Sequence, residues 1–187
     1  MNATDFILSL VDAFDGHVEG RTLLQKRAYF VSLLAGIDSD LGFGAHYYGP
    51  YSTIVDNSVS RLKSLGFLNE ENIGFGVASS GFEIKRYDYR LTDDGVRVTA
   101  ALKQSPEYRG IADACHAILT AGNPNYLTLS IAAKAYFILK KRRQGMSADD
   151  IVREAQKFNW NIDKTSLDNA VQFLERLNLV QRGKPEN

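Results

Sequence analysis

The 187-residue chain has one cysteine, three histidines and no net charge: its 22 Lys and Arg balance its 22 Asp and Glu. A lone Cys115 excludes an internal disulfide and any zinc site built on cysteines. No apolar run approaches the roughly 20 residues that a membrane span needs. The first residues, M-N-A-T-D-F-I-L-S-L-V-D, carry acids where a signal peptide would carry Lys or Arg, so a cytoplasmic location is expected. His17, His46 and His116 lie far apart, each without a second ligand at metal spacing. Asp38 and Asp40 have no third carboxylate or base beside them. Leu41-Gly42-Phe43-Gly44 lacks the Lys-Ser/Thr of a phosphate loop. With no nucleophile, base and orienter together, no enzyme, metal or cofactor is expected.

The sequence does repeat itself. Residues 53–69 read T-I-V-D-N-S-V-S-R-L-K-S-L-G-F-L-N, and residues 165–181 read T-S-L-D-N-A-V-Q-F-L-E-R-L-N-L-V-Q. Upstream, R-A-Y-F-V at 27–31 is echoed by K-A-Y-F-I at 134–138. Paired matches in the same order predict two related helical units, with Tyr29 equivalent to Tyr136 and Asp56 to Asp168.

Periodicity places helices at 4–14, with Thr4 or Asp5 as N-cap, and at 22–35, opened by a capping box Thr22-x-x-Gln25. A Gly-spaced aromatic stretch follows, then a helix at 53–64 capped by Ser52. Two strands around a turn at 78–81 come next, with a bulge expected near Lys85-Arg86, where the apolar phase slips by one residue. Thr92 caps a further helix with Asp93 and Asp94 in its first turn. The order helix, helix, helix, hairpin is that of a winged helix. In the second half, helices are expected at 107–120, 129–143, 148–158 (capping box Ser147-x-x-Asp150) and 165–178 (capping box Thr165-x-x-Asp168). Ala121-Gly122-Asn123-Pro124-Asn125 reads as a linker. The fold expected is mainly α with a small β-hairpin wing, in two tandem winged-helix-like units. Residues 1–105 form the unit with the wing, 106–125 a connecting helix and linker, and 126–187 a helical unit of helix-turn-helix type without a wing.

Gly20-Arg21-Thr22-Leu23-Leu24-Gln25-Lys26, then Tyr29-Phe30, then Tyr47-Tyr48-Gly49-Pro50-Tyr51-Ser52 resembles the YwgA-like winged-helix proteins. It is similar, more distantly, to the SocA-like group with Panacea antitoxin domains, through the pattern L-Q-K…Y-G-P. The shorter Tyr89-x-Leu91-Thr92-x-x-Gly95 resembles the wing-to-helix junction of MarR- and PadR-type regulators. These resemblances imply a winged-helix fold and a regulator, antitoxin or accessory protein of a defence locus, and no catalytic residue.

Two functions follow as expectations. The first is a DNA-associated transcriptional regulator. Residues 1–124 hold 11 Lys/Arg against 15 Asp/Glu, and residues 125–187 hold 11 against 7, so attraction to phosphates would come from the C-terminal third. Its contacts would be Arg142, Arg143, Lys164, Asn169, Gln172 and Arg176, since Asn, Gln and Arg read base edges. Against this, basic residues in a last helical turn also simply complement the helix dipole. The second is a protein-binding adaptor or antitoxin-like subunit whose partner is encoded nearby, using Phe43, His46, Tyr47, Tyr48 and Tyr51 with Lys85 and Arg86 of the wing. The tyrosines could equally be local packing, and the wing cations are interleaved with acids. A homodimer through 107–120 or the aromatic stretch would double the contacts that the DNA reading needs.

Overall fold

A computed structural model describes residues 1–77 and 83–183. The expected turn at 78–81 and Phe82 lie outside them. The protein is mainly helical with a small antiparallel sheet that carries the hairpin wing.

Helix α1 (Ala3–Ala13) buries Phe6, Ile7, Leu10 and Val11. Its N-cap is Asn2 and not Thr4 or Asp5: the Asn2 carboxamide oxygen accepts from the Asp5 amide, a bond the more exposed start leaves room for. The helix stops at Asp15 and Gly16, both with positive φ (59° and 73°). A three-residue strand, β1 (His17–Glu19), follows. It was too short to show a period in sequence, yet it adds a third strand to the wing. Helix α2 (Arg21–Leu34) packs beneath it. After a single helical turn, α3 (Asp38–Leu41), come the short strands β2 (Gly44–His46) and β3 (Gly49–Tyr51), paired as a tight hairpin.

Helix α4 (Thr53–Ser64) starts on Ser52, whose hydroxyl accepts from the Val55 amide, as expected. The wing is β4 (Leu68–Val77) against β5 (Glu83–Leu91), with strand order β1-β5-β4. The register slips between Gly74 and Val77, opposite Lys85 and Glu83. The extra residue therefore sits in β4 at Phe75-Gly76, across from the expected bulge rather than on it. Gly76, with φ 100°, supplies the conformation that other residues avoid. Helix α5 (Asp93–Leu102) is capped by Thr92, which also donates to the Gly66 carbonyl. A β-carbon at Gly95 would collide with the Phe67 carbonyl oxygen, which gives the wing-to-helix junction its glycine.

Helix α6 (Pro106–Thr120), expected to connect, packs against α1 and α2 and buries Ile111, Ala114, Cys115 and Ile118. Helices α7 (Tyr126–Arg142), α8 (Ala148–Gln156) and α9 (Lys164–Arg176) complete the chain. Ser147 caps α8 as read. The expected box Thr165-x-x-Asp168 does not form; Asp163, two residues earlier, caps α9 by accepting from Ser166.

One continuous core runs from Phe6 to Leu177, and the two halves share it. Helices α2 and α7 face each other at its centre, and Phe30 meets Phe173 edge to face at 5.4 Å. The linker is held from both sides, by Arg27 donating to the Asn123 side chain and Arg176 to the Ala121 carbonyl. The turn between α8 and α9 is long because it inserts Trp160 and Ile162 into the core.

Candidate functional site

The resembled motif explains itself once α2 is set beside the hairpin. The expected capping box Thr22-x-x-Gln25 is absent: Gly20 is the N-cap, and no side chain caps α2. Gln25 is spent elsewhere. Its amide nitrogen donates to the Ser52 carbonyl and its oxygen accepts from the Ser52 amide, both at 3.0 Å, so one buried side chain satisfies both backbone groups of a loop residue. The next residue, Lys26, donates from Nζ to the Pro50 carbonyl at 2.6 Å. Ser52 then donates its hydroxyl to the Leu41 carbonyl while capping α4. L-Q-K and Y-G-P-Y-S are thus the two halves of one clamp.

The opposite side of the hairpin is gripped by the second half of the chain. Ser130 on α7 donates to the Tyr48 carbonyl at 2.8 Å, and Trp160 Nε1 donates to the His46 carbonyl at 2.7 Å. Gly49 has φ 101°, and a β-carbon there would lie 3.0 Å from Cγ of Lys134, so glycine is required by both conformation and space.

A turn held this firmly presents its tip. Tyr47 and Tyr48 are 68% and 58% exposed, with rings edge to face at 4.9 Å. Tyr126, one helical turn before Ser130, and Leu127 are likewise exposed. His46 and Tyr51 lie ring against ring at 4.9 Å beside the tip. Burial, and a hydrogen bond with Asp56, push the Tyr51 phenol up. Asp56 also takes Nε of Arg21 at 2.9 Å. Phe43 does not share this face: its ring packs edge to face on Tyr29 at 5.1 Å, against the core. Lys85 is exposed on β5. Arg86 is taken into the sheet, forking onto the buried Asp88 with two bonds of 2.7 Å and reaching Glu19 at 3.2 Å.

Three of the six residues expected to meet nucleic acid are engaged with the protein. Arg142 pairs with Glu154, Lys164 with Asp149, and Arg176 holds the linker carbonyl. In the same basic run Lys140 pairs with Asp38, Lys141 stands 5.1 Å from the Phe158 ring centroid, and Arg143 closes α7 in the left-handed region. Asn169 and Gln172 are exposed on α9, as is Asp168. Of these pairings, Lys140 with Asp38 brings in an acid from outside the C-terminal third.

Among the described residues no group of three His, Cys, Asp or Glu side chains is placed to hold a metal ion. No helix among them is long and apolar enough to cross a membrane. Cys115 is buried, and burial pushes its thiol up to about 12, which makes it a core residue rather than a nucleophile. Compared with known proteins, the chain matches no family model and no curated protein.

Proposed function

We propose that this protein is a non-enzymatic, protein-binding module of adaptor or antitoxin type, and that its partner docks on the Tyr47-Tyr48 tip. The supporting observation is the pair of exposed tyrosines on a turn fixed from both sides, with Tyr126 and Leu127 also exposed at the start of α7. Exposed aromatics usually cost little as isolated residues. A rigid cluster is different, because tyrosines already ordered before binding lose little entropy on contact and make effective anchors. The resemblance to antitoxin domains, carried by the residues that build the clamp, points the same way. A cytoplasmic setting and a partner encoded nearby belong to this reading.

The DNA-regulator reading is supported by α9, which exposes Asn169 and Gln172 on the second helix of a helix pair. The ion pairs of Lys140, Arg142 and Lys164 count against it, since each must be given up before a phosphate gains the charge. The two readings separate in one experiment. Co-expression with the products of adjoining genes should give a complex on size exclusion that Tyr47→Arg/Tyr48→Arg dissolves and Arg142→Glu/Arg143→Glu leaves intact. A duplex shift at about 50 mM salt, lost in the arginine variant and kept in the tyrosine variant, would overturn the adaptor reading. A second copy of this chain as the partner would show as a dimer with the same dependence on Tyr47 and Tyr48.

A further inference from the structure

Between α2 and the hairpin lies a cleft of about 320 Å³ lined by Arg21, Thr22, Gln25, Lys26, His46, Tyr48 and Tyr51. No lining residue is acidic. Its floor is Lys26, 1% exposed, and the Pro50 carbonyl is the one acceptor its ammonium has among the described residues. An ammonium carries three N–H donors, so donor capacity remains at the bottom of the cleft. A buried lysine is normally compensated by a carboxylate. Here the charged group acting on it is another lysine, Lys134 of α7. Arg21 is tied to Asp56, which also takes the Tyr51 phenol, and His46, Tyr48 and Tyr51 line the cleft from the hairpin.

We propose that this cleft binds a compact oxyanion, a carboxylate or phosphate monoester group. Lys26 would supply the charge, and Arg21, His46 and the two tyrosines are the other lining groups able to meet the anion or its carrier. An incoming oxyanion supplies the missing counter-charge and converts a lone buried cation into a pair. The volume suits a single small ring or a bare anion, at the low end for ligand pockets. Burial, then the neighbouring Lys134, bring the Lys26 amine down to about 7. An anion selects the protonated form, so binding takes up a proton. This site meets the partner reading at Tyr48, which lines the cleft, but not at Tyr47, which does not.

The test is calorimetry on the full chain with three probes: inorganic phosphate, phenyl phosphate and benzoate, from pH 6 to pH 8. Affinity for benzoate, whose own charge is constant there, should fall about tenfold across that range, as the protonated fraction of Lys26 drops from about 0.9 to about 0.1. The emission of Trp160, the single tryptophan, should shift on binding, since its indole is bonded to the His46 carbonyl. Lys26→Met should lose binding at least tenfold and flatten the remaining pH profile, which separates Lys26 from His46. Inorganic phosphate binding as tightly as phenyl phosphate identifies a free anion as the ligand; a clear preference for the ring-bearing probes identifies an anion on a flat carrier. Failure of all three probes at pH 6 and 10 mM overturns the proposal, as does undiminished binding in Lys26→Met. Should that variant not fold, Arg21→Gln/His46→Gln decides: a loss of fivefold or more upholds the site, and unchanged affinity overturns it. Tyr47→Arg should bind all three probes like the parent chain.

Discussion

Helices α2 and α7 carry the same Ala-Tyr-Phe sequence and lie against each other, yet they use it differently. Ala28 and Ala135 are both fully buried, which lets the two helices approach closely. Phe30 is also fully buried, whereas Phe137 is half-buried against Phe158 and Trp160. Tyr29 is buried with its hydroxyl unpaired among the described residues, and Tyr136 is half-exposed. The partner helices differ too: α9 docks along α7, while α4 leans mainly on α1 and touches α2 only lightly. Asp56 is tied to Arg21, and Asp168 is exposed. The expected equivalence therefore holds for helix type and order, and not for docking. A repeated pattern specifies which face of a helix is apolar; the neighbours decide how deeply that face is buried.

The largest effect should come from the two phenylalanines. Phe30→Ala removes a ring at the join of the two halves and should cost about 3–5 kcal/mol. Phe137→Ala, half-buried, should cost about 1–2 kcal/mol. Urea unfolding monitored by helix signal checks both. Equal losses would mean that the two motifs are interchangeable after all.

The two sides of the hairpin clamp can be compared in the same way. Gln25→Leu strands the buried amide of Ser52, whose carbonyl keeps the Asp56 amide, and should cost about 1–3 kcal/mol. Ser130→Ala loses one bond to the Tyr48 carbonyl and should cost about 1 kcal/mol. If the serine change proves the more damaging, α7 rather than α2 is what holds the hairpin.

Where sequence reading succeeded, the interaction was local. Ser52, Thr92 and Ser147 cap helices three residues ahead of them, and that spacing is visible in any string of residues. Gln25 stands at capping-box spacing from Thr22, but its partner is 27 residues away, and nothing local announces it. The same limit hid Lys140 with Asp38, 102 residues apart. Tyr47, Tyr48 and Tyr51 stood out in the sequence as a Gly-spaced aromatic run. Their support by Ser130 and Trp160 was invisible, because it comes from the other half of the chain. Phe43 was grouped with them by adjacency, and only packing on Tyr29 shows that it faces the core.

The paired lysines allow a finer comparison, through pH. The Lys26 amine falls from 10.5 to about 7 in the folded protein, whereas unfolding restores its ordinary value. Between those values the unfolded chain binds more protons, so stability rises with pH, by at most about 1.4 kcal/mol per unit. Below about 7 both states are protonated and the slope vanishes. Above about 9 the upward-shifted Cys115 and tyrosines Tyr29, Tyr89 and Tyr108 act with opposite sign, because they keep protons that the unfolded chain releases. The clean window is therefore pH 7 to 9. There Lys26→Met should flatten the rise in stability, and Lys134→Met, lowered by lesser burial, should change it less. A profile in Lys26→Met that still rises as steeply would place the responsible group elsewhere.

The smallest effect on folding should come with the largest effect on function. Tyr47 and Tyr48 touch each other at the exposed tip, and the hydrogen bonds that hold the turn use the Tyr48 and His46 backbone rather than the tyrosine rings. Tyr47→Arg/Tyr48→Arg should therefore leave stability within about 0.5 kcal/mol of the parent. If the tip is a docking surface, the same change removes two anchors and places two cations in the contact, which should weaken partner binding at least a hundredfold. A stability loss above about 2 kcal/mol would show that the rings are packing elements of the hairpin instead. In that case the exposed tyrosines belong to the clamp, and the partner face has to be sought on Tyr126, Leu127 and α9.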